Sequence, residues 1–463
     1  MWFPARHSVL TLSLLVPAAA FVWYESSIST AQPDARPVHA ADKPGRKPPP
    51  KNPGDAPASV PQPNIPPSQP GVSPNSLTAP KPLANPPDPI RAVYFTGWSA
   101  GLESRVGYLI DLHKTTTVNA VVIDVKDYSG YVAYRTGVAG AKKYGAVRVM
   151  IRDLDALVDR LHREGIYVIA RITCFQDPVL AAARPDLAVH RVSKLPRDRS
   201  GPLTKDSLWL DRKGLAWLDP ASHPAWEYLA AIAKGALSHG VDEVNFDYVR
   251  FPSDGNLKDM YFPNWDGKTP KHIVIRSFFR YLRHELPEAR ISVDLFGLAT
   301  VNGDDLGIGQ VIEDAYASFD YVCPMVYPSH FARQFLGFPN PAAHPYEVVN
   351  YSIKEAGERL DAFNKPPAPD PKGGASADPA AAPKIKAARL RPWLQDFNLG
   401  AKYDAPAVRA EIKAVQDALG AKFAGWMMWS PSNVYTRQAL TGPPTPPAAR
   451  PPEARQAVSE PRP

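Results

Sequence analysis

Three aspartates fall at the same kind of place in this 463-residue chain: Asp124 in VVIDVKD, Asp247 in EVNFDYV and Asp294 in SVDLFG. Each lies in a run of β-branched and aromatic residues where polar side chains take alternate positions. Val122, Asp124 and Lys126 share one face against Val121, Ile123 and Val125. Asn245 and Asp247 oppose Val244, Phe246 and Tyr248, and Ser292 and Asp294 oppose Ile291, Val293 and Leu295. A period of two is the signature of a strand. Arg171 and Thr173 share a face in a fourth such run. Burying a charge costs several kcal/mol unless it is paired. The alternatives are therefore a paired network that only fills a core (Lys126 with Asp124, Arg171 with Asp247) or a catalytic cluster.

The aromatic neighbours favour catalysis. Trp98, Tyr327 and Trp429 close three further runs, and Gln395 shares a face with Arg391 and Trp393. Indole and phenol faces stack on sugar rings, and amide, guanidinium and carboxylate groups bond to sugar hydroxyls. Glycosidic cleavage needs two carboxyl groups, one to protonate the leaving oxygen and one to act at the anomeric carbon. Asp247 and Asp294 end neighbouring runs, which allows roughly 5–6 Å between their carboxyls, nearer the retaining than the inverting separation. Asp247, with Asn245 and Arg250 close by, is expected ionised; Asp294, between Val293 and Leu295, is expected to hold a proton and act as the acid. Asp124 is the third catalytic candidate, and Asp127 and Asp396 are reserves. Substrate contacts are expected at Trp98, Lys126, Asp127, Tyr128, Arg171, Asn245, Arg250, Tyr327, Gln395, Asp396 and Trp429. Tyr131 and Tyr134 either join Tyr128 along a cleft or form the packed face of a hairpin. WLDRKGLAWLDP (209–220) either caps the cleft or staples a long loop down.

Eight runs have strand character: 92–98, 120–127, 166–175, 242–251, 290–297, 320–328, 389–397 and 423–431. Between them lie amphipathic stretches, the clearest at 151–165, 223–240, 272–286, 346–363 and 405–420. Leu154, Leu157, Val158 and Leu161 show helical spacing, and Gly165 and Gly240 stand where glycine caps end helices. Strand–helix alternation repeated eight times predicts a (β/α)₈ TIM-type barrel over residues 90–440. A doubly wound sheet would need a glycine-rich phosphate turn after its first strand, and GWSAG (97–101) is not one. Extra length falls in 128–150 and 176–222, which leave the C-terminal strand ends where such barrels keep their sites. A Pro/Ala/Gly-rich insertion at 364–386, expected to be disordered, lies on the opposite face.

VVIDVKDYSG (121–130), GVDEVNFDYVRFPSDG (240–255), SVDLFG (292–297) and RPWLQDF (391–397) resemble the glycosyl hydrolase domain of bacterial envelope proteins, a barrel family allied to α-amylase-like and related hydrolases. The resemblance spans nearly all of residues 91–440. It implies a (β/α)₈ fold, export, and glycoside hydrolysis centred on Asp247. Asp294 departs from α-amylase enzymes, which carry a Glu acid at the fifth strand. DEVNFDYV resembles the acidic strand of chitinases, but Val249 stands where their Glu would be.

The remaining chain locates the enzyme. Arg6 and His7 precede an apolar run from Val9 to Tyr24, the pattern of an export signal or an N-terminal membrane anchor over residues 1–31. Residues 32–89 read as a disordered proline-rich linker and 441–463 as a disordered tail; 19 prolines lie in 31–90 and 8 in 441–463. Residues 91–440 carry about four of the net +7, too dilute over 350 residues for a nucleic-acid footprint, and show no basic stripe. Cys174 and Cys323 are expected on opposite sides of the barrel, unbridged. Eleven histidines show no ligand spacing, leaving an oxygen-ligated ion at Asp124 and Asp127 as the metal alternative. The expectation is an exported, monomeric, cofactor-free glycoside hydrolase with a polysaccharide substrate. Its rivals are a non-catalytic polysaccharide-binding barrel and a scaffold tethered through its proline-rich arms.

Overall fold

The computed structural model describes residues 81–198, 201–365 and 388–441. The export segment, most of the proline-rich stretch after it, residues 366–387 of the insertion region and residues 442–463 lie outside the described residues.

Eight parallel strands form the ring: β1 (Ile90–Phe95), β2 (Ala120–Lys126), β3 (Tyr167–Thr173), β4 (Glu243–Asp247), β5 (Ile291–Phe296), β6 (Tyr321–Met325), β7 (Arg389–Leu390 continuing at Trp393–Gln395) and β8 (Gly425–Trp429). β1 pairs with both β2 and β8, which closes the barrel. The expected (β/α)₈ architecture is therefore present, with strands shorter than their apolar runs because the ends turn into loops.

A helix follows each strand: α1 (Glu103–Thr115), α2 (Leu154–Arg163), α3 (His223–Leu237), α4 (Lys271–Glu285), α5 (Ile312–Tyr316), α6 (Pro345–Asn364), α7 (Ala405–Leu419) and α8 (Arg437–Leu440). α2 shows why the pattern folds this way. Asp153 caps its first turn by accepting the Ala156 N–H at 2.9 Å, and Leu154, Leu157, Val158 and Leu161 are all buried. Gly165 then leaves at φ +80°, and Gly240 after α3 at +79°, a region open to glycine but strained for most residues.

The strands bury both faces. Val121, Ile123 and Val125 join the layer against the helices, whereas Ala120 and Val122 point into the lumen beside Tyr94, Ile169 and Met427. Cys174 packs in the outer layer and Cys323 in the lumen, both as free thiols. Low in the lumen, Arg391 pairs with Glu243 through two guanidinium nitrogens, and both side chains are fully buried. Tyr167 and Ser292 donate to the same Glu243 carboxylate at 3.1 and 2.5 Å.

The segment 128–150, expected as loop, extends the sheet instead. Val132–Tyr134 pairs antiparallel with the end of β2, and Val147–Ile151 pairs with it. Tyr134 is buried there and Tyr131 lies 3.8 Å under the Arg148 guanidinium, so both pack while Tyr128 alone reaches the barrel mouth. In the long loop after β3, Trp209 and Trp217 are buried staples.

Candidate active site

At the C-terminal end of the ring lies a cleft of about 350 Å³. Asp124, Asp247 and Asp294 meet on its floor around one guanidinium. Arg171 Nη1 donates to Asp124 Oδ1 at 2.6 Å, Nη2 donates to Asp247 Oδ2, and Nε lies 3.5 Å from Asp294 Oδ2. Register brings them together: Arg171 is opposite Asp124 on one side and Asn245 on the other, one pleat below Asp247. The three acids expected on one face of their strands lie together, and Arg171, not Lys126, is the cation among them.

The acids differ in their surroundings. Asp247 takes the Tyr248 N–H on Oδ1 at 2.5 Å besides Arg171 on Oδ2. That N–H is aimed by a left-handed Tyr248, φ +54°, unfavourable for a bulky residue and the kind of strain that collects at functional sites. Asp294 is 1% exposed; burial, followed by the charge of Asp247, pushes its carboxyl up to about 8, against the pull of Arg171. Its Oδ1 accepts from Asn245 Nδ2 and Trp393 Nε1, each at 2.8 Å, while Oδ2 accepts no hydrogen bond. Asp124 is raised to about 6 by burial, with Arg171 opposing, and accepts the Tyr94 hydroxyl at 2.5 Å.

Aromatic side chains wall the cleft. Tyr327 and Trp429 lie 5.7 Å apart at a shallow 32° angle, and Tyr94, Tyr128, Phe296 and Trp393 also line it. Arg250 lines the wall with its guanidinium 4.7 Å from the Phe296 ring and 4.8 Å from that of Trp217. The 209–220 segment serves both expected purposes, since Lys213 and Leu215 reach the cleft rim between its stapling tryptophans. Their turn is wound on Asp211, whose Oδ1 accepts the N–H groups of Lys213 and Leu215 at 2.9 Å each.

Several expected contacts lie elsewhere. A β-bulge after Asp124 sets Lys126 opposite Ile172, so Lys126 leaves the lumen face and pairs with buried Asp177 at 3.0 Å. Asp127 folds back on Ser129, with N–H and hydroxyl donors at 2.9 and 2.5 Å, and Asp124 is held by Arg171 and Tyr94. Among the described residues no cluster of His, Cys, Asp or Glu has metal-binding geometry. Asp396 holds Thr436 through its N–H and hydroxyl, both at 2.7 Å, and Gln395 accepts the Ser329 hydroxyl at 2.8 Å. Both carboxamide and carboxylate thus anchor loops. Trp98, 54% exposed, lies outside the cleft lining, and Asn245 lies beneath the floor. Tyr94 shares the parity of Trp98 in the 92–98 run, a signal that could have found it; Lys213, on an aperiodic loop, left no such signal.

Residues 92–435 match the family described as "Putative glycosyl hydrolase domain". The chain belongs to this family. No curated protein matches it. Among solved structures, this glycosyl hydrolase domain is similar to a hypothetical protein from Ruminiclostridium thermocellum, at 35% identity over 46% of this chain and 98% of that one, with TM-score 0.39. It is also similar to the PgaB (BpsB) glycoside hydrolase domain from Bordetella bronchiseptica, at 15% identity over 76% of this chain and 99% of that one, with TM-score 0.49. The α-galactosidase TtGalA from Thermus thermophilus is a third, at 13% identity over 78% and 61% of the two chains, with TM-score 0.43.

Proposed function

We propose that this glycosyl hydrolase domain cleaves an extracytoplasmic or cell-envelope polysaccharide by a two-carboxylate, retaining mechanism. The observation that carries the reading is the pair Asp247 and Asp294, held by one guanidinium in opposite environments. In the first step the Asp294 proton goes to the glycosidic oxygen as a carboxylate oxygen of Asp247 bonds to the anomeric carbon. The carbon–oxygen bond to the leaving sugar breaks and a glycosyl ester forms on Asp247. Asp294, now a carboxylate, takes a proton from water as that water attacks the ester carbon, restoring both acids. Arg171 compensates the negative charge that moves between them, and Tyr327 with Trp429 offers a stacking surface. Export is inferred from Arg6, His7 and the apolar run to Tyr24. No helix among the described residues is long and apolar enough to cross a membrane.

The test is a panel of bacterial envelope polysaccharides incubated with the full-length protein and scored for new reducing ends. Asp247→Asn is expected to lower the rate on the cleaved glycan by at least about 10³-fold while retaining glycan binding. Binding equal in both proteins with no cleavage by either would instead establish the non-catalytic polysaccharide-binding barrel.

A further inference from the structure

A chain of hydrogen bonds runs from the bottom of the lumen to Asp294, and each link has only one possible direction. Glu243, paired with Arg391, offers acceptors alone. Tyr167 receives the Arg290 guanidinium N–H at 3.2 Å, so it can only donate onward, to Glu243 Oε2 at 3.1 Å or to the Asp242 carbonyl at 3.4 Å. Ser292 spends its hydroxyl hydrogen on Glu243 Oε1 at 2.5 Å, which leaves Ser292 Oγ as an acceptor. The amide of Asn245 must therefore turn its NH₂ toward that oxygen, at 3.0 Å. The same NH₂ donates to Asp294 Oδ1, and the second donor to Oδ1 is the Trp393 indole, which has no acceptor to offer. With both neighbours of Oδ1 donating, a proton on that oxygen would face two N–H groups.

We infer that Asn245 and Trp393 are positioning residues that confine the proton of neutral Asp294 to Oδ2, with the Glu243–Arg391 pair fixing the direction of the chain from below. The inference rests on the reading of Asp294 as the acid. It gives the buried ion pair a role in the reaction, since the pair sets which carboxyl oxygen carries the hydrogen, the buried Oδ2 that lies 3.5 Å from Arg171 Nε. The charged and titratable groups around Asp294 are Arg171 from β3 and Cys174 just after it, Asp247 from β4, and Cys323 and Tyr327 from β6 and the turn after it.

The test is pH-difference infrared spectroscopy on the full-length protein, with Asp294→Asn to identify the Asp294 carboxylic-acid band. A carbonyl accepting two hydrogen bonds absorbs at lower frequency than one accepting a single bond. Trp393→Phe and Asn245→Leu are each expected to raise the Asp294 band frequency. Each is also expected to move its titration up by on the order of one pH unit, because the ionised form loses a donor. Ser292→Ala, which frees the Asn245 amide to flip, is expected to split the band. An Asp294 band unchanged in frequency and titration in both Trp393→Phe and Asn245→Leu overturns the inference. No Asp294-dependent acid band in the wild-type protein near pH 6 would instead overturn the acid assignment itself.

Discussion

Asp294 is where residue chemistry and stability oppose each other. Its folded carboxyl titrates near 8 against an ordinary 3.8, with burial the leading cause. The folded state therefore holds this proton more tightly than the unfolded chain. That contribution to stability is complete below about pH 4 and is lost as pH rises through about 8. Asp294→Asn, which cannot ionise, is expected to gain on the wild type across that window by about 1.4 kcal/mol per pH unit, read as a widening difference in denaturation midpoints. Activity separates the two proteins in the opposite sense: with Asp294 as the proposed acid, kcat/KM of the wild type is expected to fall above about pH 8 as that carboxyl deprotonates, and the more stable variant should be inactive throughout. The Glu243–Arg391 pair gives a third expectation. Arg391→Met leaves a fully buried carboxylate without its cation and should destabilise the domain by about 3–5 kcal/mol in urea unfolding.

At the scale of elements, the ring depends on a few close approaches. Gly425 opens β8 at φ +105°, and a Cβ there would stand 1.7 Å from the Ile90 carbonyl oxygen. Gly425→Ala must part β8 from β1, the contact that closes the barrel. The expected loss is about 1–3 kcal/mol from backbone strain, with the clash added, measured by thermal or urea unfolding. Elements were legible because each apolar run is bounded by turn residues and each helix carries its own stripe; Leu154 to Leu161 is the clearest. The face assignment was legible too, as Asp124, Arg171, Asp247 and Asp294 show. It failed at Lys126 because one inserted residue in β2 reverses the alternation, and a bulge has no period to read. Asp396 and Gln395 failed differently. Their polarity is real, but its use is to hold Thr436 and Ser329, and a loop anchor resembles a ligand-binding group until the loop's path is known. Trp393, by contrast, lay on a face that alternation already identified.

For the whole molecule, the stretch before β1 does more than lead into the barrel. Asp242, at the base of β4, accepts the N–H of Leu83 at 2.5 Å, that of Val168 at 2.6 Å, and His162 Nε2 lies at 2.9 Å. Asp88 and Arg389, at the start of β7, form an ion pair 3.0 Å apart. Removing residues 1–89 is therefore expected to lower the unfolding temperature relative to removing residues 1–80 alone, and equal temperatures would show that this contact contributes nothing. The site itself stands at the opposite end of the ring, built by side chains from β1 through β8, so its acids are assembled only when the barrel closes. The roles proposed for these acids have Asp247 attacking while Asp294 donates. Peptide mapping by mass spectrometry, after the full-length protein reacts with a panel of activated 2-fluoro glycosides, tests it most directly. A single sugar mass is expected on the Asp247 peptide, absent from Asp247→Asn; a sugar on Asp124 or Asp294 instead, or turnover of the same sugar with Asp247 unmodified, would overturn that assignment.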